Sequence, residues 1–153
     1  MMKISVAMCT YNGGRYLGEQ LASIAWQTRP PDELLVCDDL SSDDSREIVS
    51  EFAARAPFSV RLLVNETNLG STKNFERAID LCAGDVIALA DQDDIWCREK
   101  LARMEQVFAF APEIGLVFSD GELVDERSNR LGRRVWQSLK FTEFEQKSFA
   151  NGK

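Results

Sequence analysis

Histidine is absent from this 153-residue chain, and its absence excludes several kinds of active site. Without an imidazole there is no Ser-His-Asp or Cys-His nucleophile system, and no histidine can bind a metal ion. Any metal site must therefore use oxygen or thiolate ligands. Any general base must be a carboxylate, Lys, Tyr or Cys.

Closely spaced cysteines and long apolar runs are also missing. The four cysteines, at positions 9, 37, 82 and 97, include no pair with the C-x-x-C spacing of a zinc site or redox motif. We interpret them as reduced thiols of a cytosolic protein. No run approaches the roughly 18 apolar residues of a membrane span. The short apolar start is not a signal peptide, because polar residues follow it at once.

Basic residues are scarce in most of the chain. Residues 1–126 hold 23 acidic and 11 basic residues, whereas residues 127–153 hold 2 acidic and 7 basic residues; the net charge is −7. The acidic body argues against nucleic acid as a partner, which needs a basic surface. For the basic tail we keep two interpretations. It is either a solvated face, or a surface for peripheral contact with a membrane or an anionic, lipid-linked acceptor.

What the chain does contain is a regular alternation of strands and helices. Five short apolar runs predict strands, at residues 3–9, 33–37, 59–64, 85–90 and 114–118, and the first two of these are expected to be buried. Apolar residues at helical spacing follow each of the first four runs. This pattern predicts an α/β fold: a doubly wound, mostly parallel, Rossmann-like sheet with helices on both faces. Beyond it we predict a β-ribbon within residues 120–136, turning at Ser128-Asn129, and a short helix at 142–150.

The most polar loops of the first hundred residues all follow predicted strands. Ligands in such sheets bind at the carboxyl ends of the strands, so we expect these loops to line one site. They are Thr10–Gly14, Asp38-Asp39, Asn65–Asn74 and Asp91–Asp94.

Three carboxylates, those of Asp91, Asp93 and Asp94, crowd the last of these loops. Such groups repel one another unless a cation or bound protons compensate. A hard divalent cation, Mn²⁺ or Mg²⁺, would accept these oxygen ligands and complete its shell with water and a substrate phosphate. The alternative is that Asp93 or Asp94 caps the next helix while the others are solvated.

Other residues of these loops also have two interpretations. Asp39 either accepts hydrogen bonds from a ribose or a base, or serves the turn that follows it. Lys73 either reaches an anion or is simply exposed, as most lysines are. The helix that opens at Asn12-Gly13-Gly14 either faces a phosphate or does not. Trp96 is expected to pack in the core.

Five motifs in order on these loops resemble those of the inverting family 2 glycosyltransferases. They are C-T-Y-N-G-G (9–14), E-Q-L-x-S-I (19–24), D-D-x-S-x-D (38–43), N-x-x-N-L-G-x-x-x-N-F (65–75) and L-A-D-Q-D-D-I-W (89–96). The D-Q-D-D-x-W form is similar to a branch that includes many rhamnosyltransferases and other bacterial cell-surface polysaccharide enzymes. The resemblance implies a GT-A fold, with a nucleotide-sugar-binding domain over residues 1–126.

The resemblance also implies roles for individual residues. It assigns a Mn²⁺ or Mg²⁺ ion to Asp91 and Asp93. The donor would be a UDP-, dTDP- or GDP-sugar, and the acceptor a saccharide or a lipid-linked molecule. Transfer would invert the anomeric carbon, in the cytoplasm or at the inner face of the membrane. The donor-binding residues it implies are Thr10, Tyr11, Asn12, Asp39, Asn68, Gly70, Lys73, Asn74 and Asp91.

The chain departs from the family pattern in two ways. Leu40 stands where the family often has glycine, and the family's catalytic base comes after the matched stretch. We therefore expect the base beyond Lys153, and residues 127–153 to begin an acceptor-side region or form a basic tail. Two other functions stay open. One is a non-catalytic nucleotide-sugar-binding module; the other is a phosphotransferase with Asp91 as nucleophile and Asp93 as acid/base.

Overall fold

The computed structural model describes residues 2–150, which fall into two compact units. The first runs up to Glu113 and the second begins at Ile114. This division reflects contacts within each unit. The boundary at residue 126, which the motifs predict for the nucleotide-sugar-binding domain, stays a prediction.

The first unit alternates strand and helix four times, as the sequence predicts. Its elements are β1 (Ile4–Thr10), α1 (Gly14–Ala25), β2 (Glu33–Asp38), α2 (Ser45–Ala53), β3 (Ser59–Val64), α3 (Ser71–Leu81), β4 (Val86–Ala90) and α4 (Lys100–Phe110). No helix among residues 2–150 is long and apolar enough to span a membrane.

The four strands form one parallel sheet in the order β3-β2-β1-β4. The chain builds outward from β1 to β3 and then returns to place β4 on the other side of β1. This is the predicted doubly wound arrangement, which is therefore confirmed. Every residue of β1 is buried, as expected of a central strand covered on both faces.

Helices cover the two faces of the sheet unequally. Side chains such as Val6 and Met8 pack in one core cluster with Leu17 and Leu21 of α1, and residues of α2 and α4 join this cluster. The alternate residues of β1, Ala7 and Cys9, pack in a second cluster with Ala78 of α3. Full burial of a leucine or isoleucine contributes about 1.5–3 kcal/mol, so these two clusters hold the sheet and helices together.

The cysteines differ in their accessibility. Cys9 and Cys37 are register partners on β1 and β2, and both are buried. Burial, and to a lesser extent the neighbouring Cys37, raises the pKa of Cys9 to about 12. Cys82 is partly buried, whereas Cys97 is exposed. All four are free thiols.

The second unit contains the predicted ribbon and helix. Antiparallel strands β5 (Glu122–Val124) and β6 (Arg130–Arg134) are followed by α5 (Val135–Ser138) and α6 (Glu143–Ala150). The ribbon turns at Ser128, whose φ is 62°, as predicted.

The predicted strand at residues 114–118 is wrong, because these residues form no strand. An apolar run predicts burial, yet Leu116 is 65% exposed. A strand also needs a paired neighbour, and the run itself does not supply one.

Candidate functional site

The predicted loops meet at one edge of the first unit. The parallel strands end at Thr10, Asp38, Val64 and Ala90. β1 and β4 are neighbours in the sheet although β2 and β3 separate them in the chain, so the winding direction reverses between them. Ligands of doubly wound sheets bind in the crevice outside such a reversal. The candidate site is therefore the crevice at the carboxyl ends of β1 and β4.

Asp38 ends β2 and fixes the loops on either side of it. Its buried carboxylate accepts hydrogen bonds from the Thr10 hydroxyl (2.8 Å) and the Ser41 backbone N–H (2.9 Å). Thr10 is 2% exposed, so its hydroxyl is engaged inside the protein. The part of Thr10 in donor binding stays a prediction.

Asp39 holds the loop between β3 and α3. Its buried carboxylate accepts hydrogen bonds from the Asn65 side chain (2.6 Å) and from the backbone N–H groups of Leu69 (2.7 Å) and Gly70 (2.8 Å). Burial alone would raise the pKa of Asp39, but these three donors outweigh it and lower the pKa. A carboxylate accepts about four hydrogen bonds, so these three donors use most of the capacity of Asp39.

Leu40 adopts a backbone conformation that favours glycine. Its φ is 68°, in the left-handed region, and its side chain is 46% exposed. The turn after β2 therefore keeps a glycine-like shape although a leucine stands there. The left-handed conformation costs a non-glycine residue roughly 1–2 kcal/mol, which the hydrogen bonds of Asp38 and Asp39 offset.

Asn74 and Asn65 connect α3 to the sheet. The Asn74 amide donates to the Cys37 carbonyl (2.8 Å) and accepts from the Asn65 amide (2.9 Å). Arg77 donates to Asn65 (2.6 Å), and Asn68 donates to the Asp39 carbonyl (3.2 Å). Asn74 is buried, and its hydrogen bonds link α3 to the end of β2 and to the loop after β3. Lys73, one residue earlier on α3, is exposed.

The start of α1 is occupied by the loop that precedes α2. The Gly13 N–H donates to the Ser45 hydroxyl (2.9 Å), and the Gly14 N–H donates to the Asp43 carboxylate (2.9 Å). Asn12 accepts a hydrogen bond from the Ser42 N–H (2.8 Å). These donors are thus already used, so the idea that this helix start faces a phosphate is not supported.

Gln92 joins the loop after β4 to the loop after β1. Its side-chain oxygen accepts from the Tyr11 N–H (2.8 Å), and its side-chain nitrogen donates to the Tyr11 carbonyl (3.3 Å). The Tyr11 side chain is 51% exposed and so is available to stack on a ligand.

The loop between β4 and α4, residues 91–99, carries carboxylates that repel one another, and we call it the acidic loop. Burial and then the neighbouring carboxylates of Asp94 and Asp93 raise the pKa of Asp91. Burial also raises the pKa of Asp94, where Lys100 opposes the rise and Asp93 adds to it. The capping alternative is wrong, because α4 begins at Lys100 with Glu99 as N-cap and no side-chain capping bond.

This donor set fits a hard divalent cation, because its carboxylates are oxygen ligands in excess of nearby positive charge. No three acidic or cysteine side chains within residues 2–150 come close enough to hold a metal by themselves. A cation at Asp91 and Asp93 would therefore complete its shell with water and phosphate oxygens, as Mg²⁺ commonly does.

Gln20 and Ser23 of α1, and Gln27 just after it, hold the backbone of the acidic loop and of the start of α4. Gln20 donates to the Asp91 carbonyl (3.1 Å), and the Ser23 hydroxyl accepts from the Trp96 N–H (3.0 Å). Gln27 donates to the Cys97 carbonyl (2.8 Å) and accepts from the Leu101 N–H (3.0 Å).

Sequence reasoning assigned no role to Gln20, Ser23 or Gln27. The pattern that could have identified them is their helical spacing, which places them beside the apolar face of Leu17, Leu21 and Ile24. Polar residues on a buried helix face need partners, and here the partners are backbone groups of the loop.

Sequence reasoning also assigned no role to Lys100. Burial lowers its pKa, while Asp94, Cys97 and Asp91 act in the opposite direction. It therefore supplies a positive charge inside the chain that partly balances the acidic loop. Trp96 is 5% exposed and belongs to the core cluster, as expected.

The second unit engages its own acidic residues. Asp120 accepts from the backbone N–H groups of Gly121 (2.9 Å) and Trp136 (3.0 Å) and from the Arg134 side chain. Burial alone would raise the pKa of Asp120, but the Arg134 hydrogen bond and the two backbone donors together outweigh it and lower the pKa, so Asp120 is a weaker base than an ordinary carboxylate. Asp125 accepts hydrogen bonds within the turn of the ribbon, from the N–H groups of Arg127 and Asn129 (2.9 Å each).

The basic tail is partly paired within the second unit. Arg130 lies 3.4 Å from Glu122 across the ribbon, and Arg134 pairs with Asp120. Phe118, Trp136 and Phe141 form an aromatic cluster with ring centroids 5.4–5.9 Å apart. These contacts favour the interpretation of the tail as a folded, solvated face.

Fold and site together define a GT-A glycosyltransferase domain, and the comparisons with known proteins agree. The model of "Glycosyl transferase family 2" matches residues 5–152. The chain belongs to this family.

Two curated relatives illustrate the similarity. The UDP-Glc:alpha-D-GlcNAc-diphosphoundecaprenol beta-1,3-glucosyltransferase WfgD of Escherichia coli is 33% identical over 125 residues, covering 82% of this chain and 48% of WfgD. The dTDP-rhamnosyl transferase RfbG of Shigella flexneri is 39% identical over 98 residues, which cover 61% of this chain and 34% of RfbG. This chain spans 34–51% of the length of these and other curated relatives.

Two solved structures share the fold. S. aureus TarS 1-349 in complex with UDP has a TM-score of 0.65 and 26% identity, covering 80% of this chain and 42% of that one. The mannosyltransferase PcManGT from Pyrobaculum calidifontis, in complex with GDP-Man and Mn2+, has a TM-score of 0.66 and 26% identity, covering 71% and 32%.

Proposed function

We propose that this chain is the donor-binding part of an inverting glycosyltransferase, which transfers a sugar from a nucleotide-diphosphate sugar to an acceptor hydroxyl. The observation that carries the proposal is the acidic loop at the crevice between β1 and β4, with Asp91 and Asp93 beside the Tyr11 loop. A diphosphate is repelled by such a loop unless a cation lies between them. The crevice therefore fits a metal–diphosphate ligand better than an anion alone.

The donor side of the site would be formed by the loops after β1, β2 and β3. Tyr11, with its exposed ring, would stack on the base, and Asn12 would lie beside it. Asp39 would use its remaining acceptor position on the base or ribose. Asn68, Gly70 and Asn74 would act through the loop that Asp39 holds, and the exposed Lys73 would approach the phosphates.

Asp91 and Asp93 would hold Mn²⁺ or Mg²⁺, with Asp91 also near the ribose. The presence of Mn2+ beside GDP-Man in the PcManGT complex supports this assignment. Such a cation supplies charge neutralisation to a departing nucleoside diphosphate. The chain's own contribution would be to fix the backbone of Asp91, whose carbonyl accepts from Gln20, and to oppose part of its negative charge through Lys100.

Acceptor chemistry is assigned to a part of the enzyme beyond Lys153. The base would be a carboxylate there, since Asp120 is engaged by three donors and is a weak base. The D-Q-D-D motif and the activities of the relatives RfbG and WfgD support cell-surface polysaccharide synthesis, with rhamnose among the candidate sugars. A saccharide or lipid-linked acceptor at the inner face of the cytoplasmic membrane follows from this proposal.

A thermal-shift panel of UDP-, dTDP- and GDP-sugars, each with and without Mn²⁺, tests the proposal. We expect one nucleotide class to raise the Tm, with a larger rise when Mn²⁺ is present, because only folded protein binds the ligand. Asp93→Ala should remove the Mn²⁺-dependent part of the rise, whereas Asp80→Ala, an exposed aspartate of α3, should retain it. No stabilisation by any nucleotide sugar would refute the proposal.

A non-catalytic nucleotide-sugar-binding module is the second candidate. It differs from the first only in turnover, so donor binding without sugar transfer or donor hydrolysis would support it. Phosphotransfer with Asp91 as nucleophile is the third candidate, and the family match of residues 5–152 does not support it. Hydrolysis of a phosphate ester that Asp91→Asn abolishes would revive it.

A further inference from the structure

We propose that Gln92 is a positioning residue that couples nucleotide binding to cation binding across the crevice. The inference rests on the proposed function. In that function the nucleoside is bound by the loop after β1 and the cation by the loop after β4. Gln92 lies between the two proposed cation ligands in sequence, and its side chain bonds to the backbone of the first loop.

The contact joins two chain segments that the sheet alone leaves separate. Tyr11 and Gln92 are 81 residues apart, and each follows a strand at the winding reversal. The side-chain amide both accepts from and donates to the Tyr11 backbone, so two hydrogen bonds fix its orientation. Because the amide also belongs to the acidic loop, a shift of either loop must break these bonds or move the other loop.

Gly13 makes room for this amide. A Cβ atom at position 13 would lie 2.2 Å from the side-chain oxygen of Gln92 and 2.5 Å from its amide carbon. Gly13 has φ −102° and ψ 7°, in the bridge region, which residues other than glycine also adopt. The glycine is therefore required by the close approach of Gln92 and not by its own backbone conformation.

Each of the two loops is also held by hydrogen bonds that do not involve Gln92. Ser41 and Ser45 fix the loop after β1, and Gln20 fixes the acidic loop through the Asp91 carbonyl. Gln92 therefore connects two ordered loops, and its loss should change their relative position more than their folding. A nucleoside diphosphate that reaches both loops would sense this change, whereas a nucleoside would not.

The test measures the coupling directly by calorimetric titration. UDP, dTDP and GDP are each titrated in the presence and absence of Mn²⁺, and the matching nucleosides are titrated in parallel. In the wild type we expect Mn²⁺ to tighten nucleoside diphosphate binding by a factor in the range of about 5–150, as is typical of coupled sites. Gln92→Met should reduce this factor at least about fivefold and leave nucleoside affinity unchanged. Gln106→Met, an exposed glutamine of α4, is the matched control.

A double-mutant cycle provides a second, independent measurement. Gly13→Ala should lower the coupling factor as Gln92→Met does, because the new methyl group displaces the amide. In the Gln92→Ala background the same methyl group has room, so Gly13→Ala should have no further effect. Additive effects of the two substitutions would contradict the inference.

The outcomes separate the inference from the function on which it rests. If the wild type binds no nucleoside diphosphate with or without Mn²⁺, the proposed function fails. If the wild type shows coupling and Gln92→Met retains it in full, the function stands and the inference is overturned. Loss of nucleoside binding in Gln92→Met would also overturn it, because the residue would then serve only the folding of the loop.

Discussion

The side-chain nitrogen of Lys100 lies 4.0 Å from the centroid of the Trp96 ring. Trp96 is in the core, so the ammonium group rests on a buried aromatic face while its charge opposes those of Asp94 and Asp91. Lys100 thus balances part of the acidic loop from inside the chain. An added cation would balance the remainder.

We expect Lys100→Met to lower the free energy of unfolding by about 1 kcal/mol near neutral pH, through loss of the cation–π contact and of charge compensation. Mn²⁺ should restore part of this loss, because it supplies the missing positive charge. Urea denaturation with and without Mn²⁺ measures both effects. Lys100→Arg, which retains the charge, is the control. Equal stability of Lys100→Met and wild type would contradict the assigned role.

We expect the free energy of unfolding to depend on pH through Asp39. Its pKa is lowered in the folded protein, so its contribution is complete above its unfolded pKa of about 3.9 and is lost as the pH falls through the folded value. Asp39→Asn should cost about 1.5–3 kcal/mol at pH 7, because the carboxylate accepts three hydrogen bonds. The difference from wild type should shrink below about pH 4. Chemical denaturation at several pH values measures it, and a difference that does not change with pH would be the contrary result.

We expect a loss of stability when Gln27, two residues after α1, loses its buried hydrogen bonds. Gln27→Met keeps the approximate shape of the side chain but leaves the Cys97 carbonyl and the Leu101 N–H without their partner. We expect a loss of about 1–3 kcal/mol, the usual consequence of unpaired buried polar groups. Gln106→Met is the matched control, since Gln106 is exposed. Similar midpoints of urea denaturation for the two variants would show that the Gln27 contacts contribute little.

We expect replacement of Leu40 by glycine to stabilise the protein. Glycine adopts a φ of 68° without the steric cost that leucine bears. Leu40→Gly should therefore stabilise the protein by about 0.5–1 kcal/mol, after subtraction of the added chain entropy of glycine. Leu69→Gly, in the neighbouring loop, should instead destabilise, because Leu69 is not among the residues with positive φ. A Tm for Leu40→Gly below that of wild type would refute the strain argument.

The sequence predicts the two central strands, β1 and β2, well because both are buried on both faces. Most residues of β1 and β2 are apolar on both faces, and this pattern has few other solutions in a chain with helices between the strands. Residues 114–118 show the limit of the method. An apolar run does not specify a pairing partner, and here none of these residues enters a strand.

The position of the candidate site is predictable for a similar reason. Parallel strands put their carboxyl ends at one edge, so any polar loop after a strand is a candidate. The supporting contacts are not predictable. Gln92 and Gln20 bond to backbone groups 81 and 71 residues away, and such partners follow from packing, which local pattern does not encode.

The unequal accessibility of the four thiols makes the folded protein ready for selective chemical labelling. Reagents that require a thiolate should leave Cys9 and Cys37 intact, because both are buried and the pKa of each is raised. The exposed Cys97 lies three residues after Asp94 and would take a maleimide dye first. A fluorophore there would report on the acidic loop without any engineered cysteine.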